Sequence, residues 1–71
     1  MNNDIAYKIA ETGTDAKVQW LLKEYAPAVP ILKIVANRKD LNSKSRNTAK
    51  ALILAYKEEQ EAIKTFWESV L

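Results

Sequence analysis

Residues 26–36 read APAVPILKIVA, a run with a single charge, Lys33, and two prolines near its start. That run decides the fold. It is far too short to cross a bilayer, which takes about 20 apolar residues. It also lacks the polar face of a surface helix, and a helix apolar nearly all round has to be buried. Two other segments, or a second copy of the chain, must therefore wrap around it. Val29, Ile34 and Val35 also invite a strand, but Pro30 would remove a ladder hydrogen bond, so helix is the better reading. Pro27 at the first helical position with Pro30 at the end of that turn places the helix at 27–39, since a missing N–H costs least there.

Working towards the N-terminus, Pro27 pushes its predecessor out of the α region and so ends a helix before it. That helix is expected over 14–25, with Thr14 as its cap, Asp15 in its first turn, and Val18, Leu21, Leu22 and Tyr25 on one stripe. Trp20 lies on the flank. Gly13 is the one glycine in the chain, and its position suits a left-handed residue just past a helix. A first helix over 3–11 follows, with Ile5, Ala6, Ile9 and Ala10 at helical spacing, Asp4 in its first turn, and Asn2 or Asn3 as its cap.

Working towards the C-terminus, residues 40–45 are a loop by composition, with Asn42, Ser43 and Ser45 available as caps. From there to the end the chain has neither glycine nor proline. Ala49, Tyr56, Ile63 and Val70 recur every seven residues. Leu52/Ile53 and Phe66/Trp67 fill the rows between, with Glu59 and Gln60 interrupting. A helix over 45–70 would be about 38 Å long at 1.5 Å per residue. That is more than the shorter helices can cover, so part of the stripe needs a partner. The expected architecture is all-α: a single helical domain over 1–71, built as a small bundle of three to four helices with a buried apolar helix and a long C-terminal one.

Composition narrows the chemistry. Seventy-one residues with no cysteine and no histidine exclude a disulfide, a thiolate metal site, an imidazole base and a histidine switch. Stability in so small a chain then rests on dense helix packing or oligomerisation. Glu58, Glu59 and Glu61 are the nearest thing to an acid–base pair. On a helix Glu58 and Glu61 share a solvated face with Lys57 and Lys64, and Lys57–Glu61 and Lys64–Glu68 are ordinary i,i+4 pairs. No nucleophile–base pair, phosphate loop or metal motif is present, so no enzyme activity, cofactor, metal or small-molecule substrate is expected. The opening MNND has no basic segment followed by an apolar stretch, so no signal peptide is expected, and a cytoplasmic protein is the expectation. An acidic C-terminal helix argues against membrane association.

The net charge of +2 is unevenly spread. Residues 38–50 carry +4, from Arg38, Lys39, Lys44, Arg46 and Lys50 against Asp40, whereas residues 51–71 carry −2. With Asn47 and neighbouring short polar side chains, Arg38, Lys39, Lys44, Arg46 and Lys50 form a candidate nucleic-acid surface at a loop and helix start. The spacing loosely resembles a helix-turn-helix, with Ala36 in the first helix and Arg46, Asn47 and Lys50 on the second. It departs from that pattern where Arg46 replaces a buried β-branched residue and where the turn lacks a glycine.

The aromatic residues supply the other candidate surface. Core packing accounts for most of Trp20, Tyr25, Tyr56, Phe66 and Trp67. Adjacent Phe66 and Trp67, however, point about 100° apart on a helix, so one of them is expected at an edge. Trp20, Tyr56, Ile63, Phe66, Trp67 and Val70 are the expected protein interface. The leading expectation is a non-enzymatic interaction module, an adaptor or regulator acting as a homodimer on a larger partner. A nucleic-acid-binding regulator is the alternative.

Overall fold

The computed structural model describes residues 3–70. Four helices follow one another: α1 (Asn3–Thr12), α2 (Asp15–Trp20, continued by a wider π-helical turn Leu21–Tyr25), α3 (Val29–Asn37) and α4 (Ser43–Val70). No strand occurs among the described residues. The all-α bundle expected from the apolar run is what forms.

The boundaries follow from local chemistry. α1 runs one residue past the expected end, and Gly13 N–H donates to the Ile9 carbonyl at 2.7 Å. Gly13 does not have the positive φ expected of it. Its glycine character answers a different need, because a Cβ there would come within 2.5 Å of the Ile9 oxygen. Thr14 caps α2 as the sequence suggests, accepting from the Lys17 N–H at 3.3 Å. The alternative cap Asn2 for α1 lies outside the described residues.

The left-handed position falls on Ala26, with φ 48° and ψ 64°. A β-carbon is disfavoured there by roughly 1–2 kcal/mol, and the bend it makes carries the chain from α2 into Pro27. Pro27 is buried in the turn. The expected start at 27 is therefore corrected: Ala28 is the extended cap residue, α3 begins at Val29, and Pro30 occupies the first turn. α3 also stops at Asn37, two residues short of the expected end. α4 starts at Ser43 and not 45, because Asn42 Oδ1 accepts from the Ser45 N–H at 2.9 Å and the Asn42 carbonyl takes the Arg46 N–H.

α3 is the centre of the packing, as its composition requires. It lies against α4 on one side and α1 on the other. Ile31, Leu32 and Val35 are buried, while Pro30 and Lys33 face solvent. Ala6 and Ala10 bring α1 close, Val18, Leu21 and Leu22 come from α2, and Leu41 and Ala49 close the core. α4 lies back alongside α3 from the 38–42 turn, so that Ala28 and Val29 sit beside Ile53 and Tyr56.

That body ends before α4 does. Twenty-eight residues make a rod of about 42 Å, and the molecule measures 46 × 26 × 17 Å. Its radius of gyration, 13.9 Å, exceeds the roughly 11 Å of a compact chain this long. The difference is the C-terminal half of α4, which projects.

Candidate functional site

On α4 the boundary between covered and uncovered helix is sharp. Ser45 and Ala49 are buried and Leu52, Ile53 and Tyr56 are half-buried, whereas every described residue from Lys57 onward is exposed. Eighteen residues are five full turns, so Ile63 repeats the angular position of Ser45, Trp67 that of Ala49, and Val70 that of Leu52. The projecting half thus continues the face that α3 covers on the first half. Ile63 is 45% exposed, Phe66 59%, Trp67 55% and Val70 59%. Core packing, expected for most of the aromatics, holds only in part for Tyr25 and Tyr56; Trp20, Phe66 and Trp67 face solvent. Both members of the Phe66/Trp67 pair are exposed, not one, and they meet edge to face with ring centroids 5.5 Å apart. Such a pair forms a stiff apolar knob.

Tyr56, Ile63, Phe66, Trp67 and Val70 therefore share one helix face, as the spacing suggests. Trp20 does not join them. It is exposed on α2, whose Gln19 reaches Ser45 Oγ at 3.4 Å, and Ser45 lies about 27 Å of helix from Ile63. Leu54, also exposed, points to the opposite side of α4. Beside the start of α3, where the projecting half of α4 begins, an open groove of about 620 Å³ is lined by apolar Ala28, Val29, Ile53 and Tyr56 and by polar Lys33, Lys57, Glu59 and Gln60. Of the two i,i+4 pairs expected beside it, Lys64–Glu68 forms at 4.0 Å.

The basic segment is less open than its composition suggests. The Arg38 side chain is only 14% exposed. Its guanidinium donates to the carbonyls of Ala10 and Gly13, both at 3.0 Å, and forks onto Asp40. The bond to Asp40 raises the pKa of Arg38 and lowers that of Asp40. Arg38 thus closes the C-terminal end of α1 and is engaged within the fold. Arg46 is half-buried, and its Nε has no hydrogen-bond partner. Lys39, Lys44, Asn47 and Lys50 remain exposed. Lys44 shares a shallow groove with Gln19, Lys23 and Thr48, which adds Lys23, a residue distant in sequence, to the basic surface.

The start of α4, part of the candidate nucleic-acid surface, already has a carboxylate beside it. Asp15 Oδ1 accepts from the Asn42 N–H at 3.0 Å and from Ser45 Oγ at 3.2 Å. A carboxylate near the first turn of a helix is stabilised by the helix dipole. The one sign of this in the sequence is Asp15 in the first turn of α2, a position that also has an ordinary local role there.

Among the described residues no three potential ligands gather as a metal site. No described helix is long and apolar enough to cross a membrane. No protein-family model matches the chain, and no curated protein or solved structure is significantly similar to it.

Proposed function

We propose that the chain is a small non-enzymatic interaction module, an adaptor or regulator of the cytoplasm that docks through the projecting half of α4. The observation that carries this reading is the 18-residue repetition of the core face: α3 covers one copy of it, and Ile63, Trp67 and Val70 extend it into solvent. A contiguous apolar face on a projecting rod is a recognition surface for another helix. The test is a photo-crosslinking residue at position 66, with position 61 on the far side of α4 as control, in cells that make the protein. A protein adduct specific to 66 supports the reading. Equal labelling at both positions, or none, refutes it.

Nucleic-acid binding is the second reading, favoured by the exposed Lys39, Lys44 and Lys50 and by Lys23, which shares a groove with Lys44. It has to operate without Arg38 and beside the carboxylate of Asp15. Its signature is affinity that falls steeply with salt and is lost in Lys44→Ala/Lys50→Ala with the fold intact.

A further inference from the structure

We propose that the groove between α2 and the start of α4 receives the acidic end of a partner protein's helix, whose basic end lies along the projecting half of α4. This deepens the docking reading and rests on it, by naming the chemistry of the partner. Lys23 and Lys44 line a groove of about 480 Å³ together with Leu22 and Leu52, and no carboxylate lines it. Lys8, Lys57 and Lys64 each have a carboxylate three or four residues on, at Glu11, Glu61 and Glu68. Lys23 has none at that spacing on either side. Lys44 has only Asp40, which lies outside α4 and is bound by Arg38. Asp15, the carboxylate bonded to Ser45, is taken up by that hydroxyl and by the Asn42 N–H. Among the described residues neither Lys23 nor Lys44 forms an ion pair. Two like charges from helices distant in sequence thus share one groove without a counter-charge, and an anionic group relieves their repulsion.

The groove continues past α2. At 100° per residue, Ala55, Ala62 and Phe66 fall within 40° of Lys44 around α4, and all three are exposed. Phe66 repeats the angular position of Thr48, another residue of the groove lining. A row with an apolar floor therefore runs from the basic groove to the edge of the Ile63 face. Glu58 and Glu59 stand about 50° to either side of Ala55 and Ala62, and the other charged residues of 51–70 lie about 100° or more from the Lys44 direction. The row is positive at one end and negative about 22 Å further along. A helix laid in it is matched when its carboxylates meet Lys23 and Lys44 and its bases meet Glu58 and Glu59. Small side chains at 55 and 62 let its axis come close, and Phe66 supplies a large anchor. Opposed charges of this kind set register and reject wrong partners. A nucleic-acid backbone is disfavoured along the same row, because phosphates reaching beyond the lysines meet Glu58 and Glu59.

The test is photo-crosslinking in cells that make the protein, from position 48 at the basic end and position 62 at the acidic end. Mass spectrometry identifies the captured segment. One protein should be captured at both positions, through an acid-rich segment at 48 and a base-rich segment of the same helix at 62. Lys23→Glu/Lys44→Glu should lower the yield at 62 at least fivefold with unchanged helical circular dichroism, since both lysines are exposed. Lys17→Glu/Lys50→Glu makes the same change in net charge on other faces and should leave that yield within twofold. Capture at 62 that is indifferent to Lys23→Glu/Lys44→Glu overturns the proposal. So do different proteins at the two positions, captured segments of the reverse charge, a second copy of this chain, or an adduct at 48 that nuclease removes. The last of these assigns the groove to nucleic acid. Failure of the docking reading is distinct, being judged at position 66: an adduct there with none at 48 leaves docking standing and removes this occupant.

Discussion

Replacing Arg38 with alanine tests whether a residue that looks like a phosphate contact is a structural clamp. The guanidinium supplies one of its nitrogens to two carbonyls, Ala10 and Gly13, and the other two to Asp40. A hydrogen bond from a charged donor contributes about 1.5–3 kcal/mol. Two to carbonyls therefore set an upper range of about 3–6 kcal/mol, which water entering the vacated site reduces. The Asp40 pairing adds little, since that carboxylate is exposed. The expected loss is about 3 kcal/mol, against a total stability of about 4–10 kcal/mol for a chain of this length. At roughly 4–8 °C per kcal/mol, the thermal midpoint falls by about 12–24 °C. The assay is thermal unfolding by far-UV circular dichroism at one fixed, low protein concentration, because self-association would otherwise shift the midpoint. Arg38→Lys keeps the charge but not the planar fork, and should recover less than half of the loss. An Arg38→Ala midpoint within about 0.5 kcal/mol of the parent, or full recovery by lysine, would refute the clamp.

Three further outcomes follow from the same geometry. Asp40→Asn should flatten part of the acid limb of stability: Arg38 lowers the folded pKa of Asp40, so the pairing is fully present above about pH 4, the ordinary carboxylate value, and is lost as pH falls through the lowered one. A pH titration of the thermal midpoint that is identical in parent and variant contradicts this. Ala26→Gly should stabilise the protein by about 0.5–1 kcal/mol, the relief of a left-handed β-carbon less the extra freedom glycine has when unfolded; urea unfolding with a lowered midpoint would exclude that backbone conformation. Asp15→Ala should cost about 2 kcal/mol, because the buried Ser45 hydroxyl and the Asn42 N–H lose their shared acceptor, and Asp15→Asn should cost less; chemical unfolding that does not separate the two variants from the parent would dissolve this cap.

The loose motif resemblance at 36–50 falls on a helical hairpin whose second helix lies back alongside its first.

Much of the architecture was legible in the residues themselves. A nearly uncharged APAVPILKIVA must be central, and Ile31, Leu32 and Val35 are. Thr14 and Asn42 cap helices because their side chains reach N–H groups three residues away, a distance over which sequence alone carries the geometry. The long glycine- and proline-free C-terminal helix, and the need for its stripe to find more cover than the short helices supply, were equally local inferences. Tertiary structure decided the rest. Arg38 bonds to residues 25 and 28 positions away, and nothing in its neighbours distinguishes such a clamp from a solvated cation. Periodicity assigned Ala49, Tyr56, Ile63 and Val70 to one face, but it has no term for where α3 begins. That boundary, set by the left-handed turn at Ala26 and the late start at Val29, divides the face into a covered half and an open one.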